Sequence, residues 1–149
     1  MTRSEKAVAY FKEGYNCCQS VVLAFSDLVN INEEELLKIA SGFGGGLGRL
    51  RETCGAVSGM IIIAGLLYGY DVPDTDLLKK ELYRTIQELG LPFEEKNGSL
   101  TCRDLLKLEE KHSNYIPSKR TKDFYDNRPC ANLIFSAAEI LEKYIENGK

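Results

Sequence analysis

Gly55-Ala56-Val57-Ser58-Gly59-Met60-Ile61-Ile62-Ile63-Ala64-Gly65-Leu66-Leu67-Tyr68-Gly69 carries no charge over fifteen residues. A bilayer span needs about 20 such residues, and Asp71 follows almost at once. The stretch therefore predicts a central helix that is apolar nearly all round and buried by other helices. Gly55, Gly59, Ala56 and Ala64 give it small-residue faces on which neighbours pack closely. Every helix of a small protein needs partners, so these faces are assigned to packing within the chain, with a homodimer seam as the alternative.

Outward from this centre the pattern stays helical. Ala7, Val8, Tyr10 and Phe11 share a face of a helix from about Ser4 to Glu13, stopped by Gly14. Asn16 is a suitable N-cap for a largely apolar helix from Cys17 to about Val29, and Asn32 caps a short one over Glu33 to Ser41. The glycine-rich stretch Gly42-Phe43-Gly44-Gly45-Gly46-Leu47-Gly48 interrupts the series. After Pro73-Asp74-Thr75, the stripe Leu77, Leu78, Leu82, Ile86 and Leu89 predicts an amphipathic helix ended by Gly90-Leu91-Pro92. A helix over Cys102 to Lys111, a connecting loop from His112 to Arg128 and a last helix from about Pro129 to Asn147 complete the chain. With no period-two alternation, repeat or linker, the expected fold is all-α: one domain over residues 1–149, a single bundle of about seven helices around a buried central one.

A chain of 149 residues buries enough core to fold without a disulfide or metal. Its 19 basic and 22 acidic side chains leave a net charge of -3, which provides no general field for polyanions. Nucleic acid and membrane are therefore excluded as expected partners. The start Met1-Thr2-Arg3-Ser4-Glu5-Lys6 does not read as a secretory signal, and the expected location is the cytoplasm.

Five cysteines stand at Cys17, Cys18, Cys54, Cys102 and Cys130. The gaps between Cys17, Cys54, Cys102 and Cys130 are too long for a local C-x-x-C site, so any joint chemistry must be assembled by the fold. Each of these four falls in the first turn of a predicted helix, where unpaired N–H groups and the helix dipole favour a thiolate and lower its pKa. Arg51 near Cys54, Arg103 after Cys102 and Arg128 before Cys130 would add to that effect. Convergence would give either redox-active dithiols or a four-thiolate site for an iron–sulfur cluster or zinc. The plainer alternative is that the cysteines are small core residues. Cys18 points about 100° away from Cys17 on a helix and is read as core.

The order of blocks is also recognisable: Gly14-Tyr15-Asn16-Cys17 with Gln19, Gly42-Phe43-Gly44-Gly45-Gly46, Cys54-Gly55-Ala56 with Gly59, Gly98-Ser99-Leu100-Thr101-Cys102, and Cys130. Together they resemble the redox-active protein family named for its C_GCAxxG_C_C motif, from about Ala7 to Leu141. Around the second cysteine the chain departs from the literal motif, reading Thr53-Cys54-Gly55-Ala56-Val57-Ser58-Gly59. The resemblance implies a small helical protein whose Cys17, Cys54, Cys102 and Cys130 do redox or cluster-binding work.

The glycine-rich stretch lacks the Gly-Lys-Ser/Thr of a P-loop and follows no strand, so it is read instead as backbone passing close to the cysteine site, its N–H groups covering anionic sulfur. No C-x-x-C-H is present for covalent haem, and His112 is read as a solvated loop residue. The expected function is electron transfer or thiol redox chemistry at the four cysteines. A redox protein or a small thiol or electron donor would be the partner. A non-catalytic zinc module and a helical interaction protein with inert cysteines are the alternatives.

Overall fold

Three side-chain caps set the starts of the N-terminal helices. Thr2 accepts from the Glu5 N–H while the Glu5 carboxylate accepts from the Thr2 N–H, a capping box that opens α1 (Arg3–Lys12). Asn16 and Gln19 repeat the device at α2 (Cys17–Ala24), and Asn32 accepts from the Glu35 N–H at α3 (Glu33–Ala40). The computed structural model describes residues 1–73 and 75–148. It continues with α4 (Gly55–Tyr68), α5 (Asp76–Asn97), α6 (Cys102–Leu105), α7 (Lys122–Asn127) and α8 (Cys130–Glu146). Between α3 and α4, residues Gly44–Leu47 form a tight turn with left-handed glycines inside it, not a regular helix. Among the described residues the one β feature is an isolated bridge between Thr53 and Thr101, so the fold is all-α, as predicted.

The uncharged stretch is the central helix. α4 packs against α2, α5 and α8, and residues Gly55 to Met60 with Ile63 and Ala64 are buried. A Cβ at Gly59 would lie 2.7 Å from the Cβ of Val21, so the glycine is what lets α2 and α4 approach. Full burial of side chains such as Met60 and Ile63 stabilises by about 1.5–3 kcal/mol each. Ile61 and Leu66 reach the surface, so the helix is not enclosed on every side. Among the described residues, no helix is long and apolar enough to cross a membrane.

Four boundaries differ from the sequence reading. The helix expected from Cys17 to about Val29 ends at Ala24, where Phe25 leaves the helical conformation and a short 3-10 turn follows over Ser26–Leu28. Gly90-Leu91-Pro92 does not end the helix it follows: α5 runs on to Asn97 and stops at left-handed Gly98. Leu89 and Phe93, both fully buried on either side of Pro92, dock the helix on the core, and tertiary packing overrides the local breaker. The predicted apolar stripe is buried toward this C-terminal end, whereas Leu77 and Leu78 stand exposed. Asp74, in the segment expected to precede this helix, lies outside the described residues.

The predicted helix from Cys102 to Lys111 stops at Leu105. Lys107 takes a left-handed φ of 56°, its N–H donates to the Asp104 carbonyl, and the Leu108 N–H donates to the Arg103 carbonyl. This is a Schellman closure without the usual glycine. Finally, the predicted loop from His112 to Arg128 contains α7, opened by Thr121 accepting from the Phe124 N–H.

Candidate functional site

Cys17, Cys102 and Cys130 are the first residues of α2, α6 and α8, and Cys54 is the residue that precedes α4. All four border one cavity of about 290 Å³. Backbone pairing brings two of them together: the Cys54 N–H donates to the Leu100 carbonyl at 2.8 Å, and the Cys102 N–H to the Glu52 carbonyl at 2.6 Å. Packing of α2 on α4 and α8 delivers Cys17 and Cys130. Glycines make the approach feasible. A Cβ at Gly46 would meet the Cβ of Cys102 at 2.6 Å, and one at Gly55 would meet that of Cys17 at 2.9 Å. Gly44 and Gly45 lie against Asn16 and Arg49 instead. Cys18 is fully buried in the hydrophobic core and is absent from the cavity lining.

The thiols do not share one electrostatic fate. Cys17 and Cys130, which border the same cavity, perturb each other's ionisation. The neighbouring Cys17 thiol, with Arg128, Arg51 and Arg120, holds Cys130 down to about 7 against the opposing effect of burial. Cys17 is pushed well above the ordinary thiol value by Cys130 and by burial. The pair therefore releases its first proton readily and its second reluctantly.

The other helix-start thiols correct the expectation of lowered pKa values. Burial pushes Cys54 up to about 12 even though the Ala56 and Val57 N–H groups favour its thiolate. Burial also raises Cys102, although Arg51 opposes it. Loss of water around sulfur outweighs the helix-end field. The N–H groups that favour thiolate at Cys54 thus belong to the start of α4.

The arginine assignments change as well. Arg51 serves Cys102, not Cys54, donating from Nη1 to Sγ at 3.6 Å. Arg103 turns away to the Glu52 carboxylate at 3.1 Å and to the Arg51 carbonyl. Arg128 acts on Cys130 as predicted.

The sequence profile described as "Putative redox-active protein (C_GCAxxG_C_C)" matches residues 15–144, a span that holds all four pocket cysteines. The chain belongs to this family. An uncharacterized protein of Archaeoglobus fulgidus is 26% identical over 160 residues, covering 100% of this chain and 99% of its own length. No solved structure matches. Membership of the C_GCAxxG_C_C family makes the chain one of its redox-active proteins at the level of class, without specifying the centre that carries electrons.

Sequence reasoning missed Arg49 and Arg120, which also border the family's cysteine cavity. Neither is adjacent to a cysteine in the chain, so spacing held no signal for them. Arg120 reaches the pocket by stacking on Phe11 and Phe124, at 4.5 and 4.9 Å from the ring centroids, and by donating to the Phe11 and Tyr15 carbonyls. His112 is exposed, and among the described residues no group of three or more His, Cys, Asp or Glu side chains is gathered to hold a metal ion.

Proposed function

We propose that the chain is a thiol–disulfide redox protein whose working pair is Cys17 and Cys130, with Cys54 and Cys102 as further thiols of the same pocket. The cavity border that Cys17 and Cys130 share, where each alters the other's ionisation, carries this reading, because it sets a readily ionised sulfur beside a second thiol from another helix. The acceptor is a disulfide, RS–SR. The Cys130 thiolate attacks one sulfur, the S–S bond breaks, and RS⁻ leaves as the Cys130–S–S–R mixed disulfide forms. Cys17 then loses its proton and attacks the Cys130 sulfur, which forms the Cys17–Cys130 disulfide and releases the second RS⁻. Both leaving thiolates take up protons, so two protein thiols are oxidised and one RS–SR becomes two RSH.

Four thiolates are chemically the donor set of an iron–sulfur cluster, but the four sulfurs, although they border one cavity, are not gathered as a metal site among the described residues. Anaerobic purification followed by iron, zinc and sulfide analysis and a thiol count separates these readings. Metal-free protein whose thiol count drops by two on mild oxidation supports the dithiol. Iron with inorganic sulfide replaces it with a cluster, and stoichiometric zinc replaces it with the metal-binding module.

A further inference from the structure

Four guanidiniums, those of Arg49, Arg51, Arg120 and Arg128, border the cysteine cavity, and among the described residues no carboxylate does. None of the four is in an ion pair among the described residues. Arg120 is committed to its ring stack and backbone carbonyls. The other three hold neutral groups or sulfur. Arg49 donates to the Asn114 carbonyl and Ser118 Oγ, Arg51 to Ser113 Oγ and Cys102 Sγ, and Arg128 to Ser118 Oγ.

Such a gathering is unfavourable without an anion, since like charges in a partly buried site repel. Burial, then Arg51 and Arg128, push the Arg49 guanidinium below its ordinary value. Arg51 is only 3% exposed. Arg49 and Arg51 are also held in the left-handed region, at φ 71° and 60°. Non-glycine residues adopt that region at a cost of about 1–3 kcal/mol, and such strain concentrates where side chains must be aimed.

We infer that the cysteine pocket binds a small disulfide or thiol bearing carboxylates, with Arg49, Arg51 and Arg128 holding the carboxylate beside Cys130. Guanidinium forks match carboxylates in geometry as well as charge. The cavity, about 290 Å³, stands at the low end for small-molecule sites, roughly 300–1,000 Å³. The sulfur end of this inference rests on the dithiol reading, while the anion site stands on the arginines alone.

The test mixes reduced protein with three disulfides: dithiodipropionate, dithiodiethanol and cystamine, whose ends are anionic, neutral and cationic. The anionic one is expected to oxidise the protein fastest and the cationic one slowest, by about tenfold or more overall. Added salt compresses the spread. Arg49→Gln narrows the anionic-to-cationic ratio and Arg49→Lys keeps part of it. Equal rates, or the cationic disulfide fastest, overturn the anion site. If no disulfide oxidises the protein, the dithiol reading falls and calorimetry with dithiodipropionate decides: saturable heat weakened by Arg49→Gln upholds the anion site, and no heat overturns it.

Discussion

Arg51 Nη1 donates to the Cys102 sulfur across 3.6 Å from a residue that is 3% exposed. The same side chain donates from Nε to Ser113 Oγ at 2.8 Å, and its backbone N–H donates to the Gly45 carbonyl. One buried residue thus ties the glycine-rich turn, α6 and the segment that follows α6. Arg51→Met is expected to remove about 2 kcal/mol of stability, the scale of a lost hydrogen bond from a charged group. It also removes a positive charge acting on Cys102 and Cys130, so both thiols should alkylate at higher pH. Urea denaturation and alkylation profiles check the two parts separately.

The depressed pKa of the Cys130 thiol makes stability depend on pH. Its folded value of about 7 lies below the ordinary thiol value, so its share of stability is present above the ordinary value and fades as pH falls through about 7. Cys18 and Cys54, raised to about 12, act the other way. Their share is present below the ordinary value and is lost as pH climbs toward 12. Denaturation of the reduced protein should show the Cys130 share growing between about pH 7 and 8.5 and the buried-thiol share declining beyond it. Cys130→Ser should flatten the first slope and leave the second.

Gly46 and Gly55 are the positions where a single methyl group would disturb the pocket. Gly46 has φ 69°, and its Cβ would lie 2.6 Å from the Cβ of Cys102 and within 2.9 Å of the Glu52 backbone. Left-handed strain of about 1–2 kcal/mol adds to overpacking of about 1–3 kcal/mol. Gly46→Ala should therefore cost about 3 kcal/mol and lower the melting temperature markedly. Gly55→Ala should be milder in backbone strain but should displace Cys17, slowing closure of the Cys17–Cys130 disulfide.

Cys18 provides a contrast among the cysteines. It is fully buried in the core, away from the cavity lining. Cys18→Ala should cost about 1–2 kcal/mol of stability, the scale of burying one small apolar group less, and should leave the thiol exchange of the pocket unchanged. Met60→Ala, in the centre of α4, should cost about 2–5 kcal/mol. Thermal melts and exchange kinetics on the same samples distinguish the two kinds of effect.

The helical class was legible because its determinants are local. Asn16 and Asn32 cap where their side chains predict, and the uncharged stretch forms the central helix. Pro92 misled because the burial of Leu89 and Phe93, a tertiary effect, keeps α5 intact through it. Lys107 closes α6 in a conformation that the sequence marks with no glycine. At the pocket, helix-start positions located the cysteines but not their acidity. That depends on how much water each sulfur loses and on arginines remote in the chain, such as Arg120 near Cys130.

The most direct test of the central claim is to oxidise the reduced protein with one equivalent of a small disulfide, alkylate the remaining thiols and map the cross-linked cysteines by mass spectrometry. The account predicts a Cys17–Cys130 disulfide with Cys18 free, and a persistent mixed disulfide on Cys130 in Cys17→Ser. A disulfide that joins any other pair, or five unreacted thiols, would contradict it.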